Sequence, residues 1–505
     1  MTSPSITIGV VGAGAMGRGI VQLFAQAGHV VRCHDAQPGA ADKAAAAVRE
    51  MLGKLAEKGR IDAAALPRLQ ANVQVIDSLQ GFAGCTLVVE AIVEDLEAKR
   101  SLFRALEDIV GDEAILASNT SSLVVAQIAA ACRRPERVAG LHFFNPVPLM
   151  RVAEVVAAVR TAPQVVDTLR TLVAGTGHRA VVTADQPGFL VNHAGRGLYT
   201  EGLRLLEEQV ADVVDIDDLL RDAAGFRMGP FELLDLTGLD VSSKVMSSIY
   251  EQFWHEPRFR PSALVAPRVA AGLFGRKTGQ GWYVYDGDRP RRPQPRPVPP
   301  LPARLKLWID PAASGHDGLA ALALAAGASC VAQPEADALL VLQPWGGDAS
   351  GRAAALGLDP ARCVAVDPLP ALERRRALML TVATAPAWRD AAHAWLAHGG
   401  VPVTVLRDSP GFVVQRVLAT IVNIAANIAQ TGVASVDDLE DAVRLGLGYP
   451  QGPLAWGDAI GGARVIEILR GLQAATGDPR YRPSPWIVRR VALGLPLRSP
   501  EPARA

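Results

Sequence analysis

The sequence has few cysteines, no charge imbalance, few aromatics and no long apolar run. Each shortage excludes something. The five cysteines (Cys33, Cys85, Cys132, Cys330 and Cys363) are odd in number and scattered, and no two form a Cys-x-x-Cys pair. That pattern argues against a disulfide framework and a structural zinc site, so no metal is expected and the thiols read as reduced, in a cytoplasm. Lys plus Arg and Asp plus Glu both number 51, so the formal charge is zero and no global basic surface is available to nucleic acid. Apolar stretches are broken by charge or glycine well short of a membrane span, so no membrane association is expected. Met1-Thr-Ser-Pro-Ser5 lacks the charged and apolar regions of a signal peptide and is expected to run directly into a strand. What is present is a chain of 505 residues, 49% of them hydrophobic, enough for roughly two to four domains with sizeable cores.

Over residues 1–185, short apolar runs alternate with helical patterns, as a parallel doubly wound sheet requires. Ile6–Val11, Val30–His34, Leu87–Glu90, Ile115–Ser118 and Val138–His142 read as strands, and Gly17–Ala27, Asp42–Lys58 and Glu97–Val110 as helices. From about Gln186 to Val265 strand signals vanish and amphipathic helices are expected, so residues 186–285 read as a separate helical domain. Residues 286–304 form a linker, with seven prolines and four arginines between Arg289 and Pro302, a composition that favours a semi-rigid extended spacer. Residues 305–407 return to α/β character without a glycine fingerprint, with strands expected at Leu305–Ile309, Ala338–Leu342 and Cys363–Val366.

Residues 408–505 repeat the helical domain. Asp408-Ser-Pro-Gly-Phe-Val-Val matches Asp185-Gln-Pro-Gly-Phe-Leu-Val, Gly452-Pro-Leu matches Gly229-Pro-Phe, and Asp458 matches Asp235. Gly188 and Gly229 are 41 residues apart, as are Gly411 and Gly452, so the helical unit reads as an internal duplication.

Gly12-Ala-Gly14-Ala-Met16-Gly17 follows the first strand and opens the first helix. In that context a G-x-G-x-x-G string marks a dinucleotide site: the first glycine permits the turn, the second admits a pyrophosphate, and the third lets helix and strand pack. Asp35, at the end of the second strand, can bind both ribose hydroxyls and would repel a 2′-phosphate; Ala36 and Gln37 follow with no cation, so NAD is expected rather than NADP. The fold class is therefore α/β: an N-terminal Rossmann-type doubly wound sheet, an all-helical domain, a degenerate α/β segment and a second copy of the helical domain.

His142, in Val138-Ala-Gly-Leu-His-Phe-Phe-Asn145-Pro146, is expected at the C-terminal end of a strand, the edge that faces ligand in an open α/β sheet. Glu154 lies twelve residues on. A histidine that removes a hydroxyl proton works best with a carboxylate to fix its tautomer, though spacing alone leaves a buried structural histidine equally open. Ser118-Asn-Thr-Ser-Ser122 follows another strand and could bind a substrate oxygen or cap the next helix.

Taken together, Gly12–Gly17, Glu90-Ala-Ile-Val-Glu94, Ser118-Asn-Thr-Ser-Ser-Leu, His142-Phe-Phe-Asn-Pro, Pro187-Gly-Phe-Leu-Val-Asn192 and Gly229-Pro-Phe-Glu-Leu-Leu-Asp235 resemble the L-3-hydroxyacyl-CoA dehydrogenase family over about residues 5–285. The duplicated helical domain resembles the family's long bacterial form, associated with phenylacetate catabolism and 3-hydroxyadipyl-CoA. The resemblance implies NAD-dependent oxidation of a 3-hydroxyacyl-CoA, with His142 as base, Glu154 as its partner, and Ser121 and Asn192 holding substrate oxygens. It places Asn145 near nicotinamide and substrate, and puts Met16, Glu94, Lys99, Ser121 and Lys277 among the cofactor contacts. Lys58 corresponds to a CoA-contacting lysine.

The second copy has Gln415 where the first has Asn192, and no His-Phe-Phe-Asn precedes it, so it is expected to be catalytically silent. It is expected to pack on the first helical domain, making a pseudo-dimer in one chain where a homodimer is the alternative. Other readings are a short-chain 3-hydroxybutyryl-CoA dehydrogenase, a non-catalytic NAD-binding homologue, a hydroxyisobutyrate-type dehydrogenase with a catalytic lysine, and a fused hydratase. His142-Phe-Phe-Asn-Pro argues against the third of these, and the lack of a hydratase-like loop with paired glutamates in 305–407 against the last.

Overall fold

The computed structural model describes residues 6–502; Met1–Ser5, expected to lead into the first strand, and residues 503–505 lie outside them. The chain divides into two compact units, one comprising residues up to His193 together with Thr431–Leu447, the other Ala194–Gln430 and the residues from Gly448 on.

In the first unit eight strands form one sheet: β1 (Thr7–Val11), β2 (Val30–His34), β3 (Val73–Val75), β4 (Leu87–Glu90), β5 (Ile115–Ser118), β6 (Val138–Phe143), β7 (Val152–Ala157) and β8 (Arg179–Ala184). Their order is β3-β2-β1-β4-β5-β6-β7-β8. Every neighbouring pair is parallel except β6 and β7. β4, β5 and β6 are buried along their whole length, which explains their unbroken apolar runs: helices cover both faces. One core layer gathers Ile8, Val10, Ile20, Phe24 and Val31, and the other gathers Val11, Phe82, Val88, Phe103 and Leu116. The expected helices run Ala15–Gln26, Ala40–Glu57 and Leu96–Glu107, the last starting where the Asp95 carboxylate accepts the Ala98 amide. Strand order reverses between β1 and β4, which opens a crevice at the C-terminal ends of the parallel strands.

The second unit holds most of both helical copies, without Thr431–Leu447, and a six-stranded sheet: β9 (Lys306–Ile309), β10 (Ser329–Cys330), β11 (Ala338–Leu342), β12 (Cys363–Val366), β13 (Arg376–Leu380) and β14 (Val403–Leu406). The order is β10-β9-β11-β12-β13-β14, and β12/β13 is again the one antiparallel pair. The helices Pro163–Gly175 and Pro386–Leu396, each leading to the last strand of its sheet, start 223 residues apart, the spacing that separates Gly188 from Gly411. The duplication thus extends upstream of the helical unit into the α/β segment, which the sequence alone does not disclose.

Within this unit the helix Val414–Gln430 packs on Arg196–Glu207, so closely that a Cβ on Gly197 would lie 2.9 Å from the Ile421 side chain. The fully buried Arg416 guanidinium is shared between Glu201 (2.9 Å) and Glu208 (2.6 Å). Removing either the cation or its partners would strand a buried charge at a cost of about 3–5 kcal/mol. Arg292 in the proline-rich segment pairs with Asp218 and Glu232, pinning that segment to the same unit. Among the described residues no helix is long and apolar enough to cross a membrane.

Candidate active site

The glycine loop leaves β1 with the Gly12 amide donating to the His34 carbonyl at 2.8 Å. Gly12 has φ +102°, and a Cβ there would sit 2.4 Å from the Ala91 carbonyl oxygen. At Gly17 a Cβ would sit 1.8 Å from the Gly12 oxygen, so any larger residue forces helix and loop apart. Gly14, by contrast, has no protein atom within 4 Å of its virtual Cβ and its backbone is extended, so that side of the loop is left open. Asp35, just beyond β2, accepts the Ala13 amide at 2.7 Å and the Gln37 amide at 2.8 Å. These residues fit a dinucleotide: an open approach at Gly14, helix amides aimed at it, and a carboxylate fixed at the end of β2. Met16 packs against the core below the loop.

The next two loops are organised by carboxylates. Glu90, fully buried, takes the Lys99 ammonium at 2.6 Å and the Ser118 hydroxyl at 2.6 Å. Glu94 Oε1 gathers the amides of Ser121 and Ser122, each at 3.1 Å, with the Thr120 hydroxyl at 2.6 Å and the Ser122 hydroxyl at 2.9 Å. Its Oε2 lies 3.1 Å from Lys99. Burial would raise the Glu94 carboxyl, but Lys99 and the two hydroxyls hold it below the usual carboxylate range. The Ser118–Ser122 loop is therefore shaped around Glu94. Lys99, only 1% exposed, sits behind Glu94 rather than at the surface of the crevice.

His142 ends β6, and across the antiparallel pair its register partner is Glu154 of β7. The His142 Nδ1 makes a short hydrogen bond with Glu154 Oε2. Both residues are buried, and the imidazole stacks edge-on against Phe144, with ring centroids 4.5 Å apart. A carboxylate at Nδ1 selects the tautomer with hydrogen there, which leaves the Nε2 lone pair to accept a proton. Glu154 Oε1 in turn accepts the amides of Leu190 (2.9 Å) and Val191 (2.7 Å), the residues that lead into Asn192. One buried carboxylate thus ties the histidine to the backbone that carries Asn192. Asn119, read from sequence as a substrate contact or a helix cap, instead links the two loops: its Oδ1 accepts the amide of Phe143 at 2.8 Å.

Asn145 is exposed in the turn after β6, and Lys58 is exposed at the C-terminal cap of Ala40–Glu57. Lys277 belongs to the second unit, where it pairs with Asp240 at 2.5 Å. In the second α/β segment the positions of His142 and Glu154 are taken by Asp367 and Ala377, joined by the Asp367 amide and the Ala377 carbonyl at 3.3 Å. Gln415 Nε2 donates to Asp367 Oδ1 at 2.8 Å, while its oxygen accepts the Gly346 amide at 2.9 Å. That site is filled by its own side chains and has no imidazole.

Residues 7–186 match the family model for the NAD binding domain of 3-hydroxyacyl-CoA dehydrogenase, and residues 188–285 and 411–500 both match the model for its C-terminal domain. The chain is 36% identical over 491 residues to 3-hydroxyadipyl-CoA dehydrogenase of Escherichia coli K12, covering 96% of this chain and 98% of that protein. Human mitochondrial hydroxyacyl-coenzyme A dehydrogenase is 38% identical but covers only 55% of the chain, so its similarity is to one copy. The crystal structure of 3-hydroxybutyryl-CoA dehydrogenase from Escherichia coli K12 superposes over 97% of this chain and 99% of that one, with TM-score 0.85 and 33% identity.

Proposed function

The chain belongs to the 3-hydroxyacyl-CoA dehydrogenase family, and from that premise we propose that it oxidises 3-hydroxyadipyl-CoA, a dicarboxylic 3-hydroxyacyl thioester, through the His142–Glu154 pair. The reaction class is NAD-dependent oxidation of a (3S)-3-hydroxyacyl-CoA to the 3-oxoacyl-CoA. The observation that carries the residue assignment is the His142–Glu154 bond at the sheet edge beside the glycine loop. NAD, when bound, supplies the oxidant. Gly12, Gly14, Met16, Gly17 and Asp35 hold it, and Glu94 fixes the Ser121 loop beside it, with Lys99 acting through Glu94.

His142 Nε2 takes the proton of the 3-hydroxyl, and Glu154 stabilises the imidazolium that forms. Ser121 and Asn192 hydrogen-bond the substrate oxygens, so that the carbon losing hydrogen is held in one orientation. Asn145 lines the substrate end of the cofactor crevice. Lys58 meets a phosphate of coenzyme A, and Lys277, exchanging Asp240 for an anion, offers a cation to the cofactor's phosphates. The adipyl assignment is supported by similarity along the full chain to a protein of that name. The 3-hydroxybutyryl-CoA dehydrogenase of the superposed structure favours a shorter chain as the second reading.

The chain works as an internal pseudo-dimer, with the helical copies packed on each other in place of a second subunit. All five cysteines are free thiols, four of them buried, which supports a reducing cytoplasm. The test is NADH formation from 3-hydroxyadipyl-CoA and 3-hydroxybutyryl-CoA at matched concentrations. A higher kcat/KM for the dicarboxylic substrate supports the reading; preference for butyryl overturns the adipyl assignment, and no NADH from either overturns the whole.

A further inference from the structure

The first compact unit contains a piece of the second copy. Thr431–Leu447 comes from the repeated helical domain, yet it belongs with the catalytic sheet. The Val433 carbonyl accepts the amide of Ala184, the last residue of β8, at 2.8 Å. Asp438 and Asp441, in the first turns of the helix Val436–Gly446, clamp Arg179 at the start of β8 at 2.7 and 2.8 Å. The second unit repeats the arrangement with the copies exchanged. There the Val210 carbonyl accepts the amide of Arg407 at 3.0 Å, and the ion pairs fall elsewhere, with Asp218 and Asp222 binding Arg375, just before β13, at 3.1 and 2.9 Å. Ala184 and Arg407 are 223 residues apart, as are Val210 and Val433. Each α/β sheet is therefore braced by the helix that follows the other.

At its far end the borrowed helix reaches the catalytic carboxylate's supports. A Cβ built on Gly446 would lie 3.0 Å from both Cγ atoms of Val191 and 3.4 Å from Val152. Val191 is the residue whose amide holds Glu154 at 2.7 Å, and Val152 opens the strand that carries Glu154. The equivalent position in the first copy's helix is Ala223, so of the two copies only the one that meets Val191 and Val152 has the glycine.

We propose that Gly446 is a positioning residue for the reaction, and that the helix Val436–Gly446 of the silent copy holds Val191, and through it Glu154, in register with His142. This rests on the reading of His142–Glu154 as the catalytic pair. It gives the duplication a function: the second copy does no chemistry but completes the site of the first.

The experiment uses the full chain with Gly446→Val, Gly446→Ala, Val191→Ala and the Val191→Ala/Gly446→Val double variant. Two readouts are taken: kcat with saturating substrate, and the ring nitrogen chemical shifts of His142 by NMR in histidine-labelled protein, assigned by their loss in His142→Gln. G446V is expected to lower kcat about tenfold or more while NAD affinity stays at the wild-type value, since small misplacements in a site are costly. The nitrogen chemical shift of its His142 Nδ1 is expected to move from the wild-type value, because a displaced carboxylate weakens the hydrogen bond that Nδ1 makes with Glu154. Adding V191A, which deletes the methyls that the new side chain strikes, is expected to restore both. If G446V does not fold, G446A carries the same comparison with a single methyl. A folded variant with unchanged kcat and unchanged His142 ring shifts overturns the proposal, as does a loss that V191A fails to relieve. The NMR readout needs no substrate, so a wrong substrate assignment and a wrong positioning role give different results.

Discussion

His142 and Glu154 are directly opposed across the antiparallel junction of β6 and β7, twelve residues apart in sequence and joined through Nδ1 and Oε2. The sheet's single reversal of direction is what brings a base and its carboxylate together at the edge where the cofactor loop lies. Glu154 has no remaining freedom, since Oε1 is taken by the Leu190 and Val191 amides. The pair is therefore set before any ligand arrives, as a catalytic base requires.

Replacing Glu154 by Gln removes the negative charge that fixes the histidine tautomer while nearly preserving shape. Turnover is expected to fall about 10²–10³-fold, within the range that general base catalysis contributes. KM for NAD should stay within a factor of about two, because the glycine loop is untouched. Steady-state kinetics checks both, and an equal loss in NAD binding would mean that Glu154 supports the fold and not the reaction.

The glycine loop separates two kinds of glycine. Gly14→Ala should leave the melting temperature of the ligand-free protein unchanged, since its Cβ meets no protein atom and its backbone suits any residue. NAD affinity should nevertheless fall at least about tenfold, because the methyl occupies the pyrophosphate's approach. Gly17→Ala should lower the melting temperature itself, its Cβ falling 1.8 Å from the Gly12 oxygen. Titration calorimetry and thermal melts of the two variants check this contrast.

Asp367 gives the silent copy a pH signature. Burial pushes its carboxyl up to about 6, with Gln415 donating to one oxygen and the other oxygen lacking any hydrogen-bond partner. The folded value lies above the unfolded value of 3.8, so the unfolded chain loses this proton first as pH rises. Asp367 therefore stabilises the fold fully below about pH 4, and that contribution is lost as pH rises through 6. Asp367→Asn should flatten the fall in unfolding free energy between pH 4 and 7 by up to about 3 kcal/mol relative to the wild type. Urea denaturation across that range checks it; parallel curves for the two proteins would contradict it.

Local patterns carried much of this structure. Ala338–Leu342 and Cys363–Val366 are strands at the expected residues, because fully buried parallel strands leave unbroken apolar runs. The Gly12–Gly17 loop and the His142 strand end were legible because their chemistry is local to a turn. What needed coordinates was pairing across distance. No spacing rule shows that Glu94 would gather the Ser121 and Ser122 amides, or that Lys99 would lie behind it. The repeat was visible in the helical copies, whose Pro-Gly-Phe turns share sequence, but not in the α/β segment, where Asp367 and Ala377 replace the residues that would have matched. The exchange of Thr431–Leu447 into the first unit was invisible for the same reason, since periodicity tells a helix which face to bury and not which sheet to bury it on.

The central claim is tested most directly by single-turnover NADH formation from 3-hydroxyadipyl-CoA by wild-type protein and His142→Gln, with NAD binding measured on both. The wild type should form NADH, and the variant should bind NAD normally but react about 10²–10⁴-fold more slowly. A His142→Gln protein that turns over at a comparable rate would contradict the assignment of His142 as the base.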